Sequence, residues 1–345
     1  MTEFRVGIIG NGGIYRLAHS FAWRRIPRAK VVATCDIIEE RAQQARQELG
    51  AEDSFTRIEN LLKKDSIDIV DICTPSDTHA DLAIQALRAG KHVICEKPMA
   101  LRPQDTSRMM ETATESKRQL YIGHTRRFDW RWTHMKEQID SGRVGEPVAV
   151  RRTERCWGGF PSEDWHWDIE RSGGVLMDLG IHVTDLFSWF LDAEPKDVFA
   201  KALTIRQEAK ERHCFDFGVI QVGFPGGKRG IMEVSWAHPQ EYAPFYSTTE
   251  VIGTRGKLNL SDKDTAPMSV VKEKIEIPRY STLLSSFPDT FVDELNHFLD
   301  CIEEKVQPKI SMKQAHSAVQ VIDAAFQSIS SGKQVTLSGG ETRGW

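Results

Sequence analysis

The chain has 345 residues, 40% hydrophobic and 27% charged, with 45 Lys and Arg against 49 Asp and Glu for a formal net charge of −4. That length suggests two domains, and the balance is ordinary for a globular protein. No Lys and Arg block forms a basic stripe for nucleic acid (Arg24, Arg25 and Arg28 read as the wet side and end of a helix), and no apolar run is long enough to cross a bilayer.

In chain order, Met1-Thr2-Glu3 runs straight into an apolar strand, Phe4–Ile9, so no secretory signal is expected. A helix is predicted over Ile14–Ile26, a strand over Val31–Cys35, and helical composition over Glu39–Leu49. A third strand, Ile67–Cys73, precedes a helix from Thr78 to Ala89, and a fourth, Val93–Cys95, precedes a helix from Pro103 to Ser116 and a strand from Leu120 to Ile122. Strand–helix alternation at this spacing predicts βαβ units and a doubly wound parallel sheet, a Rossmann domain over residues 1–125. Short, continuously apolar strands fit a sheet buried on both faces. Cys35, Cys73 and Cys95 fall within or at the end of these strands, where a thiol acts as a small apolar group. The six cysteines form no CxxC, so a reducing, cytoplasmic home is expected.

After residue 125 the pattern changes. A helix over Trp132–Ile139 stops near Gly142, and strand-like runs follow at Pro147–Cys156, Val198–Ile205, Phe215–Phe224, Gly230–Trp236 and Thr248–Leu260. Pro225-Gly226-Gly227 punctuates a hairpin. Helices are predicted over Val175–Leu191, Phe291–Glu304 and Met312–Ser330, while Ser261–Phe287 gives no readable pattern. The second domain, 126–345, is therefore expected to be α/β with a large, mostly antiparallel open sheet.

The first strand leads into Gly10-Asn11-Gly12-Gly13-Ile14-Tyr15. The first glycine permits a tight turn and the second lets the backbone approach a pyrophosphate, with the positive end of the next helix facing that anion. Tyr15 stands where the third glycine of the fingerprint belongs, the position that serves close helix–strand packing. The second strand ends in Asp36, placed to accept hydrogen bonds from an adenosine ribose and to repel a 2′-phosphate, and Ile37 follows it. NAD is expected rather than NADP. Thr74, Pro75 and His79, after the third strand, should border the cofactor. Lys97, after Glu96 and before Pro98, should point at the nicotinamide end, because the fourth strand is expected beside the first.

A second constellation is Ser172-Gly173-Gly174 followed by Asp178 and His182, four residues apart on one predicted helix face that Asp185 continues. The paired glycines allow a close approach of backbone to a ligand. A zinc set of Asp178, His182 and His166 lacks any supporting Cys or Glu spacing, and no metal is expected.

These motifs, with Gly123-His124, Arg126-Arg127-Phe128 and Gly145-Glu146-Pro147, resemble the glucose-fructose oxidoreductase, inositol dehydrogenase and rhizopine catabolism (Gfo/Idh/MocA) family over nearly the whole chain. The resemblance implies a catalytic group of Lys97, Asp178 and His182, and an open second-domain sheet used for homodimer or homotetramer contacts. The expected cofactor contacts are Gly10, Gly12, Gly13, Ile14, Asp36, Ile37, Thr74, Pro75, His79, Glu96, Lys97 and Arg126. A neutral imidazole suits His182 as general base in oxidation and acid in reduction, oriented by Asp178, while Lys97 donates to the reacting oxygen. The loop Phe160–Trp167 precedes this helix, and Trp165 and His166, with Arg127 and Asp185, are the expected wall for a sugar, cyclitol or glycoside. Trp236 and His238 are weaker candidates. The rival readings are a redox-neutral, NAD-dependent glycosidase, a non-catalytic NAD or sugar sensor, and a reductase of non-sugar carbonyls.

Overall fold

A computed structural model describes residues 3–161, 163–238, 245–261, 268–272, 275–276 and 287–337. Two compact units divide the chain: Met1–Trp130 with Leu284–His316, and Arg131–Leu283 with Ser317–Trp345. The sequence reading cuts the chain once, at 125/126. Periodicity marks a helix near residue 291 but carries no information on which unit buries its apolar face.

The first unit is built on six parallel strands: β1 (Phe4–Ile9), β2 (Ala29–Cys35), β3 (Asp53–Phe55), β4 (Ile69–Ile72), β5 (His92–Glu96) and β6 (Leu120–Gly123), in the order β3-β2-β1-β4-β5-β6. Their apolar runs are almost wholly buried, as a sheet covered on both faces requires. Between the strands lie α1 (Ser20–Trp23), α2 (Glu39–Leu49), α3 (Ile58–Leu62), α4 (His79–Arg88) and α5 (Pro103–Ser116). Pro103 opens α5, where a missing N–H costs nothing, and Gly50 in the left-handed conformation closes α2. The three-residue edge strand β3 and the single-turn α3 have no apolar run to betray them and are absent from the sequence reading. Missing β3 also shifts the strand count. Ile69–Ile72 is the strand beside β1, and Lys97 follows β5, one strand further out than expected.

The second unit starts with α6 (Trp130–Asp140), which crosses the division by one residue, and a nine-stranded sheet. The strands are β7 (Pro147–Cys156), β8 (Asp197–Leu203), β9 (Phe217–Gly223), β10 (Arg229–Ser235), β11 (Phe245–Gly253), β12 (Gly256–Ser261), β13 (Met268–Val271), β14 (Ile275–Glu276) and β15 (Val335–Thr336). Their order is β14-β13-β12-β11-β7-β10-β9-β8-β15, and among the described residues only the β7–β10 pair is parallel. The predicted run Thr248–Leu260 is a hairpin, β11 and β12, turning at Thr254-Arg255. Part of the unreadable stretch forms β13 and β14; the rest of it lies outside the described residues, apart from Lys272 and its two ends.

One face of the sheet is covered by α8 (Gly174–Asp178) and α9 (Gly180–Leu191), which pack on β7, β9 and β10. Before them comes the single turn α7 (Ile169–Ser172), after them α10 (Gln207–Glu211), and the last two helices described are α11 (Asp289–Ile302), in the first unit, and α12 (Met312–Ser331). Among the described residues no single helix is long and apolar enough to cross a membrane.

Candidate active site

In the first unit β1 runs into Gly10, whose φ of +88° glycine alone adopts without strain. A Cβ at Gly10 would also stand 2.8 Å from the Cys73 carbonyl, just past β4. Gly12 and Gly13 differ, because among the described residues a Cβ on either would meet nothing within 4 Å. Their smallness answers to no packing by those residues and leaves the backbone at the helix start open to a phosphate. Between Gly10 and Gly12, buried Asn11 donates its backbone N–H to Asp36 Oδ2 at 2.7 Å. Its side-chain Oδ1 and Nδ2 have no hydrogen-bond partner among the described residues. A buried amide left so costs ~1–3 kcal/mol, which a bound polar ligand would offset. These residues fit a dinucleotide.

Asp36 pins this turn from the end of β2. Its Oδ1 accepts the Ile38 N–H at 2.9 Å, and each oxygen keeps a lone pair for a ribose hydroxyl. Ile37 beside it is 90% exposed and offers an apolar surface to a base. Tyr15 is buried, with its hydroxyl donating to Glu48 Oε2 at 3.3 Å. A ring where the fingerprint has glycine fills the space of a close helix–strand contact, and the predicted helix 14–26 opens there into a π turn, Tyr15–His19, before α1.

Thr74 and Pro75 leave β4 as expected. The buried ring of His79 lies between two carbonyls, with Nδ1 2.7 Å from Pro98 O and Nε2 2.9 Å from Thr74 O. Burial draws its pKa below the ordinary histidine range, while the carbonyls act against that shift. His79 is thus a clamp between the two loops that leave β4 and β5. Glu96 is buried at the end of β5, and its Oε2 accepts the Lys97 N–H at 3.1 Å. Lys97 is half-buried and is joined to Pro98 by a cis peptide bond. Arg126 and Arg127 close a 3₁₀ turn after β6. Arg127 is buried and donates to the Lys309 carbonyl at 2.6 Å, which commits part of its guanidinium to backbone within the unit.

In the second unit Gly173 and Gly174 both have positive φ. A Cβ on Gly174 would lie 2.9 Å from the Phe215 carbonyl oxygen and 3.0 Å from Cys214 Sγ. The close approach expected to serve a ligand is therefore to the protein's own backbone. The predicted single helix over Val175–Leu191 is two helices, with the segments on either side of Leu179 bent by 43°. Asp178 ends α8 and His182 belongs to α9, so the two do not share one helix face. Just past the bend, a Cβ on Gly180 would come within 3.1 Å of Ile322 in α12. Asp178 and His182 are half-buried, and Asp185 is buried.

Asp178 Oδ2 accepts a hydrogen bond from Trp236 Nε1 at 3.3 Å. The Trp236 ring is buried among Phe160, His166 and Trp167, at centroid separations of 5.2, 6.2 and 5.6 Å. Phe160 stacks on His166 at 3.9 Å, and Asp164 Oδ1 meets His166 Nδ1 at 2.5 Å. Trp167 is core, and Trp165 is half-buried and tilted over His166. Ser162 lies outside the described residues. Trp236, a weak candidate by sequence, is the residue whose importance only the fold reveals, since nothing in the sequence pairs it with Asp178, 58 residues away. His238 lies against Tyr246, ring to ring at 6.3 Å.

Residues 4–124 match the model of an oxidoreductase family with an NAD-binding Rossmann fold, and residues 132–259 match the GFO/IDH/MocA C-terminal domain. The chain is 28% identical to the myo-inositol 2-dehydrogenase of Thermotoga maritima over 96% of its own length and 98% of that protein's. It is 29% identical to the scyllo-inositol 2-dehydrogenase (NAD(+)) of Bacillus subtilis, covering 97% of this chain and 96% of that one. Among solved structures, a putative myo-inositol dehydrogenase from Sinorhizobium meliloti superposes with a TM-score of 0.83 at 27% identity, covering 97% of this chain and all of that one.

Proposed function

The chain belongs to the GFO/IDH/MocA family of NAD-binding oxidoreductases, and from that premise we propose that it transfers a hydride between NAD and a ring carbinol carbon of a polyhydroxylated substrate. The substrate class is a sugar, cyclitol or glycoside, and the inositol 2-dehydrogenases among its full-length relatives favour a cyclitol. The observation that carries the reading is the glycine turn closed by Asp36, with its solitary buried Asn11 amide.

In this reading Gly12, Gly13 and the start of the following helix hold the pyrophosphate, and the Asp36 carboxylate takes the ribose hydroxyls. NAD supplies the hydride acceptor when bound. His182 takes the hydroxyl proton as hydride leaves and returns it in the reverse direction. Asp178, itself fixed by the Trp236 N–H, stabilises the imidazolium. Lys97 donates to the reacting oxygen, and its charge favours negative charge developing there. Trp165 offers a face for the C–H side of a ring.

The test is to follow reduced-nicotinamide absorbance with NAD or NADP against a panel of cyclitols, sugars and glycosides. NADH formation with a cyclitol is expected, and His182→Ala should lower kcat by about 10²–10⁴ while NAD still binds. Preference for NADP, or near-normal turnover in that variant, would overturn the reading.

Self-association through the second sheet belongs to the same reading. Its uncovered face shows Phe199, Leu203 and Val219 on neighbouring strands, an apolar patch suited to a second copy. Light scattering should give a dimer or tetramer, and a monomer would refute it.

A further inference from the structure

Asp71 interrupts the apolar run of β4 and is 0% exposed. A carboxylate so placed is costly unless it is paired. His19 supplies the pairing, its Nδ1 2.8 Å from Asp71 Oδ2 and its Nε2 3.0 Å from Glu96 Oε1. Trp23 Nε1 donates to the same Asp71 oxygen at 2.7 Å. An imidazole with a carboxylate at each nitrogen satisfies both only as the imidazolium. Burial opposes that charge, but Asp71, by its charge and its hydrogen bond, is the chief cause acting against burial, and the His19 pKa stands well above the ordinary range. Burial, then Asp71, pushes the Cys73 thiol up to about 12, so it adds no charge. From α11, Phe291 covers the imidazole edge-on at 5.3 Å. Glu294 on the same helix is held protonated well above the carboxylate range by burial and then by Glu96. His19, Asp71 and Cys73 are metal-ligand types whose donor atoms lie within 4.8 Å of one another, and the 2.8 Å contact between the first two is a hydrogen bond in this structure.

Glu96 is the pivot. One oxygen faces His19, and the other accepts the Lys97 backbone N–H at 3.1 Å. Gly123 on β6 gives this carboxylate its space, since a Cβ there would be 3.2 Å from Oε1. We propose that His19 is a positioning residue for Lys97: bridging Asp71 and Glu96, it fixes the carboxylate that holds the Lys97 backbone, and so couples the helix behind the glycine turn to the strand end that bears the lysine. The inference rests on the reading of Lys97 as donor to the reacting oxygen.

Steady-state kinetics of His19→Gln, Lys97→Met and the double variant test it. His19→Gln should lower kcat by about 10–100-fold, as a displaced catalytic group does, with the KM for NAD within about threefold. In the Lys97→Met background the same change should cost less than about twofold, because a residue acting through Lys97 has nothing left to position. Equal losses in both backgrounds, or a His19→Gln kcat within about twofold of the parent, would overturn the inference. Near-parent turnover in Lys97→Met would overturn the reading of Lys97 and this inference with it, whereas an inactive Lys97→Met beside an unaffected His19→Gln would sink this inference alone. Should His19→Gln not fold, Glu96→Gln keeps the volume, removes the charge and should reproduce the kcat loss. Nitrogen-15 spectra of the unaltered protein at pH 8 should show both His19 ring nitrogens protonated, and a neutral ring would refute the bridge.

Discussion

Replacing Asp36 with Ser should turn the cofactor preference, and the size of the change follows from what the carboxylate holds. Asp36 accepts the Asn11 and Ile38 N–H groups at 2.7 and 2.9 Å, and one hydroxyl cannot reach both. A hydrogen bond to a charged group contributes ~1.5–3 kcal/mol, so losing the ribose bond raises the KM for NAD by about 10–150-fold. For NADP the native carboxylate is repulsive. Two unit charges about 5 Å apart at an effective dielectric of about 20 cost ~3 kcal/mol, roughly 200-fold. The ratio of kcat/KM for NAD over NADP should therefore fall by roughly 2,000–30,000-fold. Asp36→Asn separates charge from scaffold: it keeps an oxygen for the turn and should recover most of the NADP gain with less loss of thermal stability. Initial rates with both cofactors read the outcome. A shift in the ratio below about tenfold would refute the role assigned to Asp36.

Trp236→Phe removes one N–H from Asp178 and keeps an aromatic ring, so kcat should fall about 5–10-fold, the value of a single long hydrogen bond; an unchanged kcat would disconnect Trp236 from the site. Gly10→Ala forces a side chain to φ +88° against the Cys73 carbonyl, a backbone cost of ~1–2 kcal/mol before the clash is counted. NAD affinity should drop at least about tenfold by fluorescence titration, and normal binding would show the turn to be tolerant. Glu294 keeps its proton to higher pH in the folded chain than in the unfolded one, through burial and then Glu96. The folded state binds more protons above the ordinary carboxylate range, so stability falls as pH rises towards the native pKa. Glu294→Gln should remove that fall, leaving unfolding midpoints flatter between pH 5 and pH 8 than in the parent; an unaltered slope would mean that another group titrates.

The sequence alone determined the parts whose physics is local. A glycine turn after an apolar strand, an acid at the end of the next strand and a lysine before proline each follow from neighbours in the chain, and each stands at a strand end in the fold. The alternation of strand and helix fixed the parallel sheet, and the long alternating runs fixed the antiparallel one. Tertiary structure decided what depends on distant partners. The edge strand β3 is too short to signal itself and moves Lys97 one strand outward. Gly174 leaves room for the Phe215 carbonyl, and Gly180, just past the bend between Asp178 and His182, leaves room for Ile322. No local pattern singles out His19, because Asp71 and Glu96 are 52 and 77 residues away. Buried charge is matched in space rather than along the chain, so no periodicity announces it.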